Sequence, residues 1–503
     1  MENTNISKGI SIVENEITHT NEISTEFSLP DYIGEIRKLL VCKAQALPES
    51  RYVSDEKIEL GGTLTYLLIY SDDEGVLCAS PLNTPYEIEI PARLSGGTVF
   101  TSTEVDSVIT KVNAPRKLTI KSRLKTRVTS IKNTPYEENI SPKSSAEELF
   151  LERKTDDVPG FELLPCKLEN IKISDKLEVG EGKAPKPIWC DATLWVDEVK
   201  AQNKSLLVKG VVLVKCVCQG EDGAIVELHK SLPFGEELEC ENSKAGDTAR
   251  AQGRCVSLSI SGDSTGEQLF FDIELELEGC VLKRQTTRIT QDCYSTVCDS
   301  DVSYKDVELA DVVKMGSYSF TVQEGVKRKN NEIKEIITEI AHPVWEKTEI
   351  KGNKMYLLGK VIVAVIGKSE AKENGVEEYL SESYEIPYKY ELDTGRELSN
   401  YLVNAEVSCG KINTRYDGDK LQVSAELYPS LTIFEKTKVK AIDSATIHTD
   451  KKIEKNGSQV VVYFKKDSDT LWDIAKRYHT TMAGLKKENQ IENDILPNSL
   501  IIG

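Results

Sequence analysis

The chain has 503 residues, 39% hydrophobic and 29% charged, with 82 acidic against 63 basic side chains and a formal net charge of −19. Its length implies several domains, and its apolar content is that of ordinary globular protein. The acidic balance excludes nucleic acid, whose phosphates need a basic surface, and excludes attachment to anionic membranes by charge alone.

Residues 1–14 read as a flexible tail. The opening MENTNISKGISIVENEITHT has no apolar core and no Arg-rich amphipathic pattern, and no stretch of the chain approaches eighteen apolar residues. The expectation is therefore no transmembrane segment and a protein made and kept in the cytoplasm.

Three similar segments follow. Gly62–Tyr70 (GTLTYLLIY), Gly210–Cys218 (GVVLVKCVC) and Gly359–Gly367 (GKVIVAVIG) are each apolar, β-rich and followed by a polar turn. The first two glycines are 148 positions apart and the last two 149, which points to a threefold repeat. Each run is expected to be a central strand covered on both faces. A second marker follows each: Glu89-Ile90-Pro91, Ser231-Leu232-Pro233 and Glu385-Ile386-Pro387, read as strands ending at proline. A third is an alternating strand at Lys117–Val128, Gln268–Leu275 and Lys420–Leu427, the last preceded by the turn pair Asp417-Gly418. Upstream, Ile33–Ile36 and Ile333–Ile336 also look equivalent.

The resulting fold class is mainly β: three β-rich domains, sandwich or open barrel, over 15–131, 149–284 and 315–449. Boundaries are expected at Lys132–Glu148 and Gln285–Lys314, with a flexible tether at Asp450–Ser458 leading to a βααβ module over 459–503.

Twelve cysteines lie between Cys42 and Cys409. Cys216 and Cys218 share a strand face, and Cys293 and Cys298 are near one another, but neither pair has a partner motif for zinc. Reduced thiols, no metal and no cofactor are expected. Gly182-Lys183, Gly367-Lys368 and Gly410-Lys411 lack the upstream glycine of a phosphate loop, and no nucleophile elbow or paired-histidine zinc motif occurs. The chain is read as non-enzymatic.

The most informative stretch is the last. Val460–Phe464 reads as a strand. Asp469 looks like the N-cap of a helix carrying Leu471, Trp472, Ile474, Ala475 and Tyr478. Thr480-Thr481 breaks it and caps a second helix with Met482 and Leu485, which Asn489 and Asn493 end, and Leu500–Ile502 closes the module. This segment resembles the LysM family in Tyr463, the Asp469–Ala475 run, Arg477-Tyr478, Thr480-Thr481, Asn489 and the Pro497-x-x-Leu500-x-Ile502 ending. The resemblance implies binding of N-acetylglucosamine polymers (peptidoglycan or chitin) in a shallow groove between Asp467–Leu471 and Ile495–Asn498. Candidate ligand or partner contacts are Lys466, Asp467, Ser468, Asp469, Thr470, Leu471, Ile495, Leu496, Pro497 and Asn498. Lys486 and Lys487 would serve an acidic protein partner. Trp472 is expected in the module's core. Ser468 and Asn498 stand where the family usually has glycine, which would narrow the groove.

Three β-rich segments with a Gly62-x-Leu64-x-Tyr66-x-x-x-Tyr70 strand, an Ile-Pro marker and a C-terminal LysM module also resemble the SPOCS-domain proteins of spore-forming clostridia. That resemblance implies spore coat assembly in the mother-cell cytoplasm, recruitment to the forespore surface, and a LysM module that docks a SpoIVA-like coat morphogenetic ATPase. The alternatives are a peptidoglycan-binding protein of wall or spore cortex, and a hydrolase using LysM for targeting.

Overall fold

Apolar and polar side chains alternate through most of the chain, and that period builds strands. The computed structural model describes residues 6–7, 9–94, 96–137, 139–143, 148–178, 186–220, 223–262, 268–329, 332–370, 377–454, 460–491 and 496–502. Three pairs of sheets precede a small C-terminal module.

The first pair is built from β2 (Gly9–Ser28), β3 (Lys38–Val53), β4 (Lys57–Ser71), β5 (Leu77–Pro91), β6 (Thr98–Ala114) and β7 (Lys117–Pro135), while the short strands β1 (Ile6–Ser7) and β8 (Ile140–Ser141) add in parallel to sheets of the second and third pairs. β3-β4-β5 is an antiparallel meander, and β2-β7-β6 is the sheet facing it. Leu64, Tyr66, Leu68 and Tyr70 of β4 pack on Leu118, Ile120, Leu124 and Val128 of β7, as facing layers of a sandwich do.

The second pair comprises β9 (Leu151–Pro165), β10 (Glu169–Glu178), β11 (Lys186–Gln202), β12 (Ser205–Gln219), β13 (Ile225–Glu239), β14 (Thr248–Gly262) and β15 (Gln268–Ser295). The third comprises β16 (Cys298–Ser317), β17 (Phe320–Lys327), β18 (Ile333–Lys351), β19 (Lys354–Ser369), β20 (Tyr379–Asp393), β21 (Tyr401–Asp417) and β22 (Lys420–Lys452). Each again has a meander, β11-β12-β13 or β18-β19-β20, facing a sheet centred on the long strand β15 or β22. The first half of each long strand pairs with β10 and β14, or β17 and β21. The second half continues with β9 or β16.

Gly62, Gly210 and Gly359 occupy the same place in the three meanders. Each faces a register shift in the first strand, and a Cβ there would overlap the carbonyl of Leu47, Trp195 or Val344. It would also come within 2.5–2.8 Å of Tyr86, Phe234 or Tyr388 on the third strand. The close approach of a bulged strand and an aromatic side chain is what requires glycine.

That register corrects the second sequence marker. Tyr86, Phe234 and Tyr388 pair with the three glycines, so Pro85-Tyr86 is the counterpart of Pro233-Phe234 and Pro387-Tyr388. Pro91 only ends β5. The three equivalent prolines are exposed, inside strands at the edge of their sheets, where a missing N–H breaks no ladder. Ile33–Ile36 and Ile333–Ile336 are not equivalent either. The first is a loop whose Ile36 N–H donates to Pro115 O, and the second begins β18.

The central strands are buried on both faces only at their C-terminal ends; elsewhere one face is covered. Ile69, Val217 and Ile366, each seven positions beyond its glycine, are wholly buried in one cluster with Leu40, Leu77, Trp189 and Ile340. Each such side chain contributes roughly 1.5–3 kcal/mol of burial. β5 meets β11, β13 meets β18 and β20 meets β3, so the meanders close a ring. Polar contacts follow the same cycle: Lys43 Nζ to Asp191 (2.5 Å), Lys215 Nζ to Glu339 (3.0 Å) and Ser381 Oγ to Leu40 O (2.7 Å).

The expected boundaries shift because the long strands run through them. Residues 9–14 are not a tail but the start of β2: Ile10 packs with Val158, Ile289 and Leu309, and Ser11 Oγ donates to Phe161 O (2.6 Å). Gln285–Lys314 lies largely in β15 and β16, and the second sheet pair gives way to the third at the turn Thr296-Val297 inside it. Lys132–Pro135 ends β7, and Asp450–Lys452 ends β22. Ile453 N–H still donates to Val297 O, and 455–458 of the expected tether, with 459 of the expected module, lie outside the described residues. All twelve cysteines are free thiols, eight of them buried. Among the described residues no helix is long and apolar enough to cross a membrane.

Candidate functional site

The C-terminal module is β23 (Val461–Phe464), α1 (Leu471–Arg477), α2 (Met482–Glu488) and β24 (Ser499–Ile502), with β23 antiparallel to β24. Leu471, Trp472, Ile474, Ala475, Leu485, Leu500 and Ile502 form its core. Thr470, not Asp469, caps α1. Its hydroxyl accepts the Asp473 N–H, and the Asp473 carboxylate accepts the Thr470 N–H, a reciprocal capping box that Asp469 is one position too early to make. Thr481 caps α2 by accepting the Gly484 N–H at 2.9 Å. Asn489 ends α2 and clamps β24, donating to Ile501 O and accepting from its N–H. Asn493 lies outside the described residues.

Asp469 serves the loop itself. It accepts the Tyr463 hydroxyl at 2.6 Å and the Lys466 N–H at 2.8 Å, and its side chain is only 7% exposed. The Tyr463 hydrogen bond, then the Lys466 amide and the Arg477 charge, hold its carboxyl below the usual range. The two loops of the expected groove are joined by Lys465 N–H donating to Asn498 O at 3.0 Å.

The module is seated on the second and third sheet pairs. Trp472 Nε1 donates to Asp292 Oδ2 (2.7 Å), and its ring meets Tyr294 edge-on at 5.0 Å. Lys476 Nζ donates to Asp292 Oδ1 (2.7 Å), Tyr304 O–H to the same oxygen (2.8 Å), and Tyr294 O–H to Thr480 O (2.7 Å). Burial raises the Asp292 pKa, but Lys476, Trp472 and Tyr304 together outweigh it and hold the carboxyl low. Trp472 is thus buried as expected, yet at a junction between parts of the chain and not only inside the module.

Beside this seat lies a groove of about 480 Å³, lined by Lys154 of β9 and by Lys465, Asp469, Thr470, Leu471, Trp472, Met482 and Leu496. Of the sequence candidates, Asp469, Thr470, Leu471 and Leu496 therefore line it. Lys466, Asp467, Ser468, Pro497 and Asn498 are exposed in the same loops. Ile495 lies outside the described residues. Lys486 and Lys487 are on α2 and do not line the groove. Sequence reasoning missed Lys465, Met482 and Lys154; nothing local to Lys154 signals its place, more than 300 positions before the module.

Where the three sheet pairs meet, a separate cavity of about 280 Å³ includes Lys43, Glu104, Arg254 and Glu276 on its wall. These side chains are engaged in ion pairs (Lys43–Asp191, Glu104–Arg127, Arg254–Glu276), as structural charges are.

The family model for the LysM domain matches residues 466–499. No curated protein and no solved structure matches the chain. A LysM domain points to N-acetylglucosamine-containing glycans such as peptidoglycan.

Proposed function

We propose that the chain is a non-catalytic envelope-assembly protein whose LysM groove binds an N-acetylglucosamine polymer, with the β sheets as its mount. The observation that carries this reading is the LysM match over 466–499, whose loops bound an open groove. The three sheet pairs are read as copies of one SPOCS-like unit, supported by the shared glycine–aromatic register. Sedimentation of the full chain with insoluble peptidoglycan tests it: retention that soluble chitooligomers compete away is expected, and no retention refutes it.

A second reading has a different partner. Lys486 and Lys487 lie together on α2 of an otherwise acidic chain, which suits docking of an acidic surface. By the SPOCS resemblance, that surface belongs to a SpoIVA-like coat morphogenetic ATPase in the mother-cell cytoplasm, at the forespore surface. Binding of that ATPase, lost on reversing Lys486 and Lys487 while peptidoglycan is ignored, supports this reading.

A further inference from the structure

Lys154 and Asp292 are direct cross-strand partners in the β9–β15 ladder. Side chains of such partners leave the sheet on the same face. The Asp292 carboxylate on that face receives Trp472, Lys476 and Tyr304. Lys154 reaches the groove that Leu471, Trp472 and Leu496 line. The fold thereby adds an ammonium group from the β sheets to a groove otherwise made by the module. Lys465 contributes a second from the module's own loop. Both lysines are exposed, and among the described residues neither is held in an ion pair. Two uncommitted cations on one groove favour a ligand that carries carboxylates.

We propose that the groove is composite, and that Lys154 is a specificity residue that selects a carboxylate-bearing N-acetylglucosamine polymer over an uncharged one. Peptidoglycan carries such carboxylates on its stem peptides; chitin carries none. This inference rests on the glycan reading above. The seat fixes the geometry, because the contacts made by Trp472 and Lys476 hold the module's groove against the strand that bears Lys154.

The test uses the full chain, with insoluble peptidoglycan and chitin beads as separate probes, comparing wild type, Lys154→Glu and Lys154→Arg. Lys154 is exposed, and because a glutamate there would stand opposite Asp292, hydrogen exchange of α1 in Lys154→Glu checks that the seat is kept. For Lys154→Glu the expected result is about a five- to tenfold weaker affinity for peptidoglycan, with chitin unchanged. Lys154→Arg should retain the wild-type preference, and the difference should fade at high salt. If Lys154→Glu binds both probes as wild type does, or weakens both equally, the composite groove is refuted while the glycan reading stands. If wild type binds neither probe, both fall. Retention of polyglutamate in place of both glycans would reassign the groove to an acidic protein.

Discussion

The seat of the module can be measured by pairing Asp292→Asn with Lys476→Met. Asp292 accepts four hydrogen bonds, from Trp472 and Lys476 at 2.7 Å and from Tyr304 and the Cys293 N–H, with its side chain 16% exposed and that of Lys476 32% exposed. A charge-assisted hydrogen bond contributes about 1.5–3 kcal/mol, and partial exposure trims the pair toward the lower end. Asp292→Asn leaves a half-buried ammonium with a neutral acceptor, so undocking should become easier by roughly 2 kcal/mol, or about thirtyfold. Hydrogen exchange of the α1 amides in the full chain reads this directly, because docking protects them. Each single variant should lose protection. The double variant should lose less than the sum, with a coupling of about 1–2 kcal/mol. Additive effects, or α1 protection unchanged in Asp292→Asn, would refute the seat.

Other consequences are equally local. Gly359→Ala places a Cβ against Val344 O and Tyr388 and should lower the urea midpoint, at a cost of about 1–3 kcal/mol or more. Thr470→Ala removes the α1 cap and should cost about 1 kcal/mol in module stability, read by the same hydrogen exchange. Burial lowers the pKa of His342, whose Nε2 lies 3.0 Å from Val105 O across the ring of sheets. Its contribution is therefore present above the ordinary histidine pKa of about 6.5 and lost as pH falls below it, when the unfolded chain takes up a proton that the folded one resists. Thermal melts at pH 7.5 and 5.5 should show a smaller pH drop for His342→Gln than for wild type; an equal drop would contradict this.

What the sequence revealed tracks the distance over which each feature is encoded. The LysM module was readable because Leu471, Ile474, Ala475 and Leu485 follow helical spacing and Thr481 caps its own helix. The cap of α1 was misplaced by one position, since Asp469 and Thr470 are both good caps and only the Asp473 reciprocity separates them. The glycine-led strands were readable as apolar runs. Their proline marker was not, because Pro91 sits at a plausible distance from Gly62 while strand register selects Pro85. Gly9–Glu14 looked like a tail because nothing near it in sequence gives it a partner, yet Ile10 and Ser11 are buried against strands more than a hundred positions away. Trp472 could be read as buried, but its partners Asp292 and Tyr294 lie far upstream, as does Lys154, and no local pattern announces them.

The central claim is that the groove beside the seat holds an N-acetylglucosamine polymer. Hydrogen-exchange footprinting of the full chain with solubilised peptidoglycan fragments tests it most directly. The account predicts added protection in 465–472, around Leu496 and on β9 near Lys154, with the α2 face at Lys486 and Lys487 unchanged. Protection confined to α2, or none at saturating ligand, would contradict it.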